Sequence, residues 1–311
     1  ETSMSIVKNG SEEIATVVLS QIDIHKNYGG VVPEIASRNH IENITIVLEE
    51  LLSKTNLTMN DITAIAVTYG PGLIGSLLIG VQAAKTMALV TGKPLVPVHH
   101  IAGHIYANNL EGRLQFPLIA LVVSGGHTEL VYMKEDYSFE RIGGTLDDAV
   151  GECYDKGPKV DKLAHQGKVT YDLPLPLNDK TYNFSFSGIK SAVINLVHNE
   201  NQRGNTINKE DLCATFQHNV TDVIAKKTMH ALKDYHVNNL IVAGGVSANA
   251  GLRERLEKDC KENNINLSIP RIQYCTDNAT MIAAAAYFAY KKNIFADQTL
   301  NAVATDSLYK Y

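Results

Sequence analysis

The feature of this sequence that most constrains its fold is a repeated unit in which a short apolar run leads into a glycine-rich turn. Residues 61–68 lead into the turn at 69–75, and residues 239–243 lead into a Gly-Gly turn at 244–249. Each turn is followed by a stretch with helical spacing of its apolar residues, as in a strand–turn–helix unit. This alternation is typical of an α/β fold.

Two hairpins mark the beginnings of two α/β halves. Met4–Lys8 and Ile14–Ser20 alternate as strands around the turn Asn9–Gly10. Residues 116–133 contain two apolar strands around SGGHT at 124–128. No short-period repeat or low-complexity linker separates the halves.

The sequence predicts two helices that differ in how their apolar residues are distributed. Isoleucines 35, 41 and 44 and Leu48 recur at the spacing of one helix face. Residues 77–90 are apolar nearly all round, so we expect that helix to be buried.

Composition excludes some classes of protein. The chain has 311 residues and a net charge of −5, which argues against indiscriminate coating of nucleic acid. Its four cysteines form no CxxC pair, so a reduced cytoplasmic protein is expected. We expect no membrane-spanning segment, because the apolar runs are short.

A pair of histidines suggests a metal site. His100 and His104 lie four residues apart where the strand LVPVHH runs into a helix, so both imidazoles project from one face. Two histidines that merely lie near each other remain the alternative. Asp277 stands at the mouth of an alanine-rich helix, where a capping role is equally open.

Other turns offer a cradle for an anion or a flat ring. The hairpin turn SGGHT presents consecutive backbone N–H groups, as in phosphate-binding nests, although an ordinary turn accounts for it too. Asn249 follows the Gly-Gly turn and is placed to bond hydroxyls or a base edge. GxGxxG is absent there, so a dinucleotide fold is not indicated.

An acidic stripe follows the second hairpin. Thr145 is a candidate cap for a helix that carries Asp148, Glu152 and Asp155 on one face, directly before Gly157. This acidic stripe could be a solvent-exposed helix face or part of the wall of a pocket, and the sequence favours neither. Two such halves enclosing a nucleotide would form the architecture shared by actin, sugar kinases and heat-shock proteins.

Taken together, these stretches resemble the TsaD family, once described as O-sialoglycoprotein endopeptidases, along essentially the whole chain. The resemblance rests on motifs in the family's order: YGGVVPEIASRNH (28–40), GPGLIGSLLIG (70–80), PVHHIAGHIYAN (97–108), LVVSGGHTELV (121–131), DDAVGECYDK (147–156), FSFSGIKSA (184–192), VAGGVSAN (242–249) and CTDNATMIAAAA (275–286).

The resemblance implies a two-lobed actin-like fold of the acetate and sugar kinase/Hsc70/actin (ASKHA) type, with a nucleotide cleft between the lobes. We expect an N-terminal lobe at 1–112 that lacks the family's first strand, and a C-terminal lobe at 113–295. The tail 296–311 is expected to pack back on the N-terminal lobe.

The resemblance also implies site roles. One Fe²⁺ or Zn²⁺ would be held by His100, His104 and Asp277, and Mg²⁺ would be possible with the nucleotide. The threonylcarbamoyl-AMP substrate would be bound by Val122, Val123, Ser124, Gly125, Gly126, Asp155, Gly157 and Asn249. No general base stands out, and Asp148 and Glu152 are the candidates.

The implied activity is threonylcarbamoyl transfer from threonylcarbamoyl-AMP to N6 of adenosine 37, in cytoplasmic tRNAs that read codons beginning with A. The implied partners are tRNA, the paralogous subunit TsaB and the ATPase TsaE, without a membrane. The region GVVPEIASRNHIENI (30–44) is a candidate docking helix for TsaB, and Lys156, Lys159, Lys162 and Lys190 are candidates to line a tRNA entrance.

Three other functions are alternatives to this one. A metalloprotease of the HExxH type needs a glutamate where this chain has Ile101. A small-molecule kinase of the same architecture would prefer oxygen ligands around its magnesium. A non-catalytic paralogue has no need of the two histidines and the aspartate.

The chain departs from the family pattern at two places. It opens at ETSMSIV, without the family's first strand and ETSCDET-like loop, and Lys156 directly precedes Gly157, where family members carry a further segment. We expect that disordered segments left out of the sequence explain both departures, and a defective family member is the alternative.

Overall fold

The computed structural model describes residues 1–154 and 157–308. They form two compact units, the first comprising Glu1–Leu114 with the C-terminal segment from Thr276, and the second comprising Gln115–Cys275. The α/β class predicted from the sequence is confirmed.

The first unit begins with a hairpin and continues with two strand–helix pairs. Its elements up to Leu114 are β1 (Thr2–Lys8), β2 (Glu12–Leu19), α1 (Ile22–Lys26), α2 (Pro33–Thr55), β3 (Ile65–Gly70), α3 (Ile74–Thr91), β4 (Leu95–His99) and α4 (His100–Tyr106). Strands β1 and β2 are antiparallel, whereas β3 and β4 are parallel. The strand expected over 61–68 is shorter at its start, because Asp61 ends a short 3-10 turn, Met59–Asp61, and β3 begins at Ile65.

Helix α3 is less buried than its composition predicts. Only Val81, Ala84 and Ala88 form a buried stripe, while Leu89 and Val90 are 68% and 79% exposed. The prediction that this helix is buried was therefore wrong. One face of α3 packs on β3, and that contact does not require the rest of the helix to be buried. The sequence predicts no membrane-spanning segment, but α3 is long and apolar enough to cross a membrane by length and composition alone, a test that core helices also pass.

The second unit is organised around one mixed sheet. Its elements are β5 (Leu118–Val123), β6 (Thr128–Met133), β7 (Glu140–Gly144), α5 (Val150–Tyr154), α6 (Gly157–Ala164), α7 (Ser187–Gln202), α8 (Lys209–Asp234), β8 (Asn239–Ala243), α9 (Ala250–Glu262), β9 (Asn266–Ser268) and α10 (Ile272–Cys275). In the described part of the chain the strand order is β7-β6-β5-β8-β9. Every residue of β5 is buried, because this central strand pairs with β6 on one side and β8 on the other.

The helix expected to carry the acidic stripe begins later than predicted. Helix α5 begins only at Val150, and Asp148 lies in the turn before it. Thr145 donates its hydroxyl to the carbonyl of Asp148 and pairs in a bridge with Phe184, so it is held in a strand-like turn. Asp148 and Glu152 therefore do not share a helix face.

The last helix, α11 (Ala279–Lys291), returns to the first unit. Tyr106 stacks on Phe288 with ring centroids 4.6 Å apart. A Cβ on Gly103 would lie 2.6 Å from Ile282, so glycine permits the close approach of α4 and α11. Residues 276–295, expected in the second lobe, thus group with the first unit because α11 packs there.

The segment after α11 also belongs to the first unit. Ala296 pairs with Leu95 beside β4, and the Val303 N–H donates to the carbonyl of Tyr69 at 2.9 Å. Ala302 and Leu308 are buried. These contacts hold the segment against β3 and β4.

Candidate functional site

The histidine pair is positioned by the junction of β4 and α4. His99 ends the strand, and its Nδ1 accepts a hydrogen bond from the Ile101 N–H at 3.2 Å, which caps the helix. The rings of His100 and His104 then lie one turn apart, with centroids separated by 4.7 Å. The predicted strand–helix junction is therefore present.

The carboxylate of Asp277 completes this group. Asn278, not Asp277, caps α11, because its side chain accepts from the Met281 N–H at 2.8 Å. The Asp277 carboxylate is thereby left available, and its Oδ1 lies 3.3 Å from Nε2 of His100 and 3.1 Å from Nε2 of His104. The sequence left open a capping role for Asp277, but in the structure Asn278 has that role.

The three side chains fit the requirements of one divalent transition-metal ion. One ligand atom from each residue lies within 4.8 Å of the others, and the two histidines present the same nitrogen. His104 is 2% exposed and its Nδ1 has no hydrogen-bond partner, whereas the Asp277 side chain is 77% exposed. Two imidazoles and one carboxylate form a ligand set that leaves open positions on iron or zinc.

Electrostatics favour the ligand forms of these groups. Burial lowers the pKa of His104, so its imidazole is neutral at neutral pH. Crowding by protein atoms raises the pKa of Asp277 although its side chain is exposed, but hydrogen bonds from His100 and His104 outweigh it. The net effect holds the pKa of Asp277 well below its usual range.

The SGGHT turn connects β5 to β6 and faces open space. The Ser124 N–H donates to the His127 carbonyl at 2.8 Å, and the His127 N–H donates to Ser124 Oγ at 3.1 Å. A Cβ on Gly125 or Gly126 would meet nothing within 4 Å. Val122 and Val123 differ from this turn, because they are fully buried in β5, where Val122 pairs with both β6 and β8 and Val123 pairs with β6. The accessible part of the predicted cradle is therefore Ser124–Gly126.

Two glycines let neighbouring elements approach this turn. A Cβ on Gly151 of α5 would lie 2.5 Å from the Ser124 carbonyl oxygen, and one on Gly244 would lie 2.4 Å from that of Val123. Gly244 also has φ +92°, which favours glycine. The turn at 124–126 thus rests against both α5 and the Gly-Gly turn after β8.

The two candidate bases are engaged by one lysine. Lys190 Nζ lies 2.9 Å from Asp148 Oδ2 and 3.9 Å from Glu152 Oε1. These interactions raise the pKa of Lys190, chiefly through the hydrogen bond to Asp148. Each carboxylate therefore has a cationic partner, a feature that the sequence alone did not indicate.

Asn249 lies at the start of α9 in a polar network. Its Oδ1 accepts from the Leu252 N–H at 2.8 Å, and its Nδ2 donates to Gln217 Oε1 at 2.9 Å. Asp161 of α6 accepts from the Ala250 N–H at 3.0 Å. The sequence did not single out Asp161 or Gln217, and only the position of Asp161 four residues after Gly157 could have drawn attention to it.

The remaining predicted residues are placed as follows. Gly157 is the first residue of α6, and a Cβ there would have Tyr154 as a neighbour at 3.8 Å. Asp155 and Lys156 lie outside the described residues. The predicted nucleotide residues that are described all lie in the second unit, whereas the metal group lies in the first.

Comparison with known folds supports the predicted architecture. HypF from T. kodakarensis matches with a TM-score of 0.58 at 13% identity, over 84% of this chain and 44% of that one. Component A of (R)-2-hydroxyglutaryl-CoA dehydratase from Acidaminococcus fermentans matches with a TM-score of 0.52 at 15% identity, over 93% of both chains. The predicted two-lobed actin-like fold class is confirmed.

Comparison at the level of sequence is much closer. The family model of TsaD, tRNA N6-adenosine threonylcarbamoyltransferase, matches residues 12–284. The protein of that name from Staphylococcus haemolyticus is 58% identical over 313 residues, which cover 97% of this chain and 92% of the relative. Its namesake from Bacillus cereus is 58% identical over 315 residues, with the same coverage. This chain therefore belongs to the TsaD family of transferases, the tRNA N6-adenosine threonylcarbamoyltransferases.

Proposed function

We propose that this chain transfers the threonylcarbamoyl group from threonylcarbamoyl-AMP to N6 of adenosine 37 in tRNAs that read codons beginning with A, and releases AMP. The observation that carries the proposal is the convergence of His100, His104 and Asp277, which are distant in sequence, in a chain of this family. A protein that only served as a scaffold would not need these three side chains to meet.

The nucleotide end of the substrate is assigned to the second unit. Ser124, Gly125 and Gly126 are to hold the phosphate, with the backbone N–H groups of Gly125 and Gly126 as donors, since the Ser124 N–H is bonded to the His127 carbonyl. Gly157 and Asn249 are to contact the same ligand, together with Asp155 on the basis of sequence. Mg²⁺ would accompany the nucleotide where phosphate charge requires it.

The chemistry requires positioning and charge stabilisation. Threonylcarbamoyl-AMP is a mixed carbamic–phosphoric anhydride, so AMP is a good leaving group, whereas the adenosine amine is a poor nucleophile because its lone pair is conjugated with the ring. Holding both reactants in register supplies much of the acceleration. The turn at Ser124–Gly126 stabilises the negative charge on the departing phosphate.

An Fe²⁺ or Zn²⁺ ion held by His100, His104 and Asp277 would act as a Lewis acid toward oxygen atoms of the threonylcarbamoyl group. The proton lost by the attacking amine is assigned to Asp148 or Glu152. Either carboxylate would accept it only when Lys190, which now lies 2.9 Å and 3.9 Å from them, is drawn to another anion.

The partners and location follow from the same assignment. A base beside the anticodon is splayed out more cheaply than a base in a duplex, so tRNA is a feasible acceptor. Because the chain has a net charge of −5, we expect it to need partner proteins to bind tRNA. The proposed partners are TsaB and TsaE, in the cytoplasm. Helix α2 exposes Ile41 and Ile46, which supports this helix as the docking site for TsaB.

The metalloprotease alternative finds no support in the site. Ile101 stands where a zincin needs its glutamate, and its side chain is buried.

The test is a transfer assay with purified chain, TsaB, TsaE, threonylcarbamoyl-AMP and a tRNA substrate, together with elemental analysis. We expect His100→Ala and Asp277→Ala to lower metal content and to reduce transfer at least about a hundredfold, since each removes one of three ligands. The matched control is His198→Ala on α7, which lies in the other unit. Full transfer by either metal-free variant would refute the proposal.

A further inference from the structure

Gln217 occupies a position between two groups at the start of α9. It lies on α8, and its Nε2 donates to Asp161 Oδ1 at 3.0 Å while its Oε1 accepts from Asn249 Nδ2 at 2.9 Å. One amide therefore joins a carboxylate on α6 to a carboxamide on the turn before α9. All three residues belong to the second unit.

The amide of Gln217 has a defined orientation. Its side chain is buried, with 6% exposure, so water does not replace these bonds at low cost. Asp161 accepts hydrogens and cannot donate them when ionised, so the NH₂ group must face Asp161 and the oxygen must face Asn249. If the Gln217 amide were reversed, its oxygen would face the Asp161 carboxylate and its NH₂ group would face the NH₂ group of Asn249.

The surrounding backbone is built to admit this side chain. A Cβ on Gly251 would lie 2.4 Å from Gln217 Nε2, so glycine at this position allows α9 to approach α8. The Ala250 N–H donates to Asp161 Oδ2 at 3.0 Å, and the Leu252 N–H donates to Asn249 Oδ1 at 2.8 Å. The first turn of α9 is thereby fixed by the same network.

We propose that Gln217 is a positioning residue for nucleotide binding, which orients the Asn249 carboxamide through its own oxygen while Asp161 holds its NH₂ group. The second hydrogen of Asn249 Nδ2 is then presented in one direction for the ligand. This inference rests on the proposed function, because it takes Asn249 to be a nucleotide-binding residue. Gln217 itself contacts protein groups and acts through Asn249.

The test measures AMP binding by calorimetry with the full chain. Gln217→Met keeps a similar volume but loses both bonds, and we expect it to weaken AMP binding by about tenfold or more, as is typical of lost supporting hydrogen bonds. Gln217→Glu places two carboxylates in contact, so we expect weak binding at pH 8. At pH 5.5 one shared proton restores a donor toward Asp161, and affinity returns toward the wild-type value.

Urea unfolding measured beside AMP binding at both pH values separates positioning from general stability. A residue needed only for folding would lower AMP affinity only as far as its variants unfold, whereas a positioning residue lowers the affinity of the folded chain. His165, whose Nδ1 lies 3.7 Å from Asp161 Oδ1, also gains a proton toward pH 5.5, so each variant is compared with the wild-type chain at the same pH. The matched control is Gln202→Glu on α7, whose amide bonds the exposed His198. It should bind AMP like the wild-type chain at both pH values.

Two results would have different meanings. Wild-type affinity in Gln217→Met, or a pH-independent Gln217→Glu, would overturn the positioning role while leaving the nucleotide site in place. Failure of the wild-type chain itself to bind AMP would overturn the proposed nucleotide site, and the role of Gln217 with it.

Discussion

Asp147 concentrates four hydrogen-bond donors on one carboxylate. It accepts from the Ser185 and Ser187 hydroxyls and from the backbone N–H groups of Phe186 and Ser187. These groups precede or begin α7, so the carboxylate satisfies donors that the helix leaves unpaired. Burial raises the pKa of Asp147, but the serine and backbone hydrogen bonds outweigh it and the net pKa is lowered.

This environment predicts how stability depends on pH. We expect Asp147→Asn to lose about 1 kcal/mol at pH 7, a value typical of a helix cap and reduced by solvent screening at an exposed site. Since the pKa is lower in the folded chain, the contribution is full above the usual aspartate pKa and is lost as the pH falls through the folded value. Urea unfolding at pH 7 and pH 3 should show the difference from wild type shrinking.

The control for this change is Asp172→Asn, at another exposed aspartate of the same unit. It should leave the free energy of unfolding within about 0.5 kcal/mol of wild type, as surface substitutions usually do. An Asp147→Asn penalty that stayed constant between pH 7 and pH 3 would contradict the charge-based account.

At the scale of elements, the turn proposed to bind phosphate is shaped by the helix packed against it. Helix α5 touches the turn through Gly151, whose N–H donates to the Ser124 carbonyl at 3.2 Å. The Val150 N–H donates to Thr128 Oγ1 at 2.8 Å on the other side of the same hairpin. The conformation of Ser124–Gly126 therefore depends on α5 as well as on its own glycines.

A single methyl group at this contact should disturb the turn. We expect Gly151→Ala to weaken AMP binding by about tenfold or more, because its Cβ would lie 2.5 Å from the Ser124 carbonyl and 2.7 Å from Gly125 Cα. Both neighbours are backbone atoms, which move only with the turn. Calorimetric titration with AMP measures the effect.

Gly188→Ala on α7 is the matched control, because a Cβ there meets nothing within 4 Å. It should retain AMP affinity and gain slightly in helix stability. Equal affinities of the two variants would show that contact with α5 does not shape the turn.

At the scale of the whole molecule, the two proposed ligands bind different units. The metal group belongs to the first unit, and Ser124–Gly126 with Asn249 belongs to the second. Each ligand stabilises the unit that binds it, by about 2.7 kcal/mol when the free ligand is at a hundred times its Kd. The two units should therefore respond separately to the two ligands.

Hydrogen exchange read by mass spectrometry tests this division. Zn²⁺ should slow exchange in α4 and at the start of α11, because ligation ties His100 and His104 to Asp277. AMP should slow exchange at residues 124–128 and 245–251 instead. Protection by Zn²⁺ confined to the second unit would contradict the assignment.

Much of the local structure was predictable because it depends on neighbours in sequence. The hairpin at β1 and β2, the junction of β4 and α4, and the turn before α9 appear where glycine and apolar spacing place them. The exposed face of α3 and the late start of α5 were not predicted, since burial and competing turn contacts involve residues elsewhere in the chain.

The sequence by itself determined the α/β pattern, the family and the histidine pair on one helix face, because these depend on spacing and motif order within short stretches. Only the tertiary structure decided that Asp277 reaches the histidines while Asn278 caps the helix, and that Gln217 joins Asp161 to Asn249. Those contacts join residues far apart in the chain, and helix packing, which a local pattern does not encode, sets their distances.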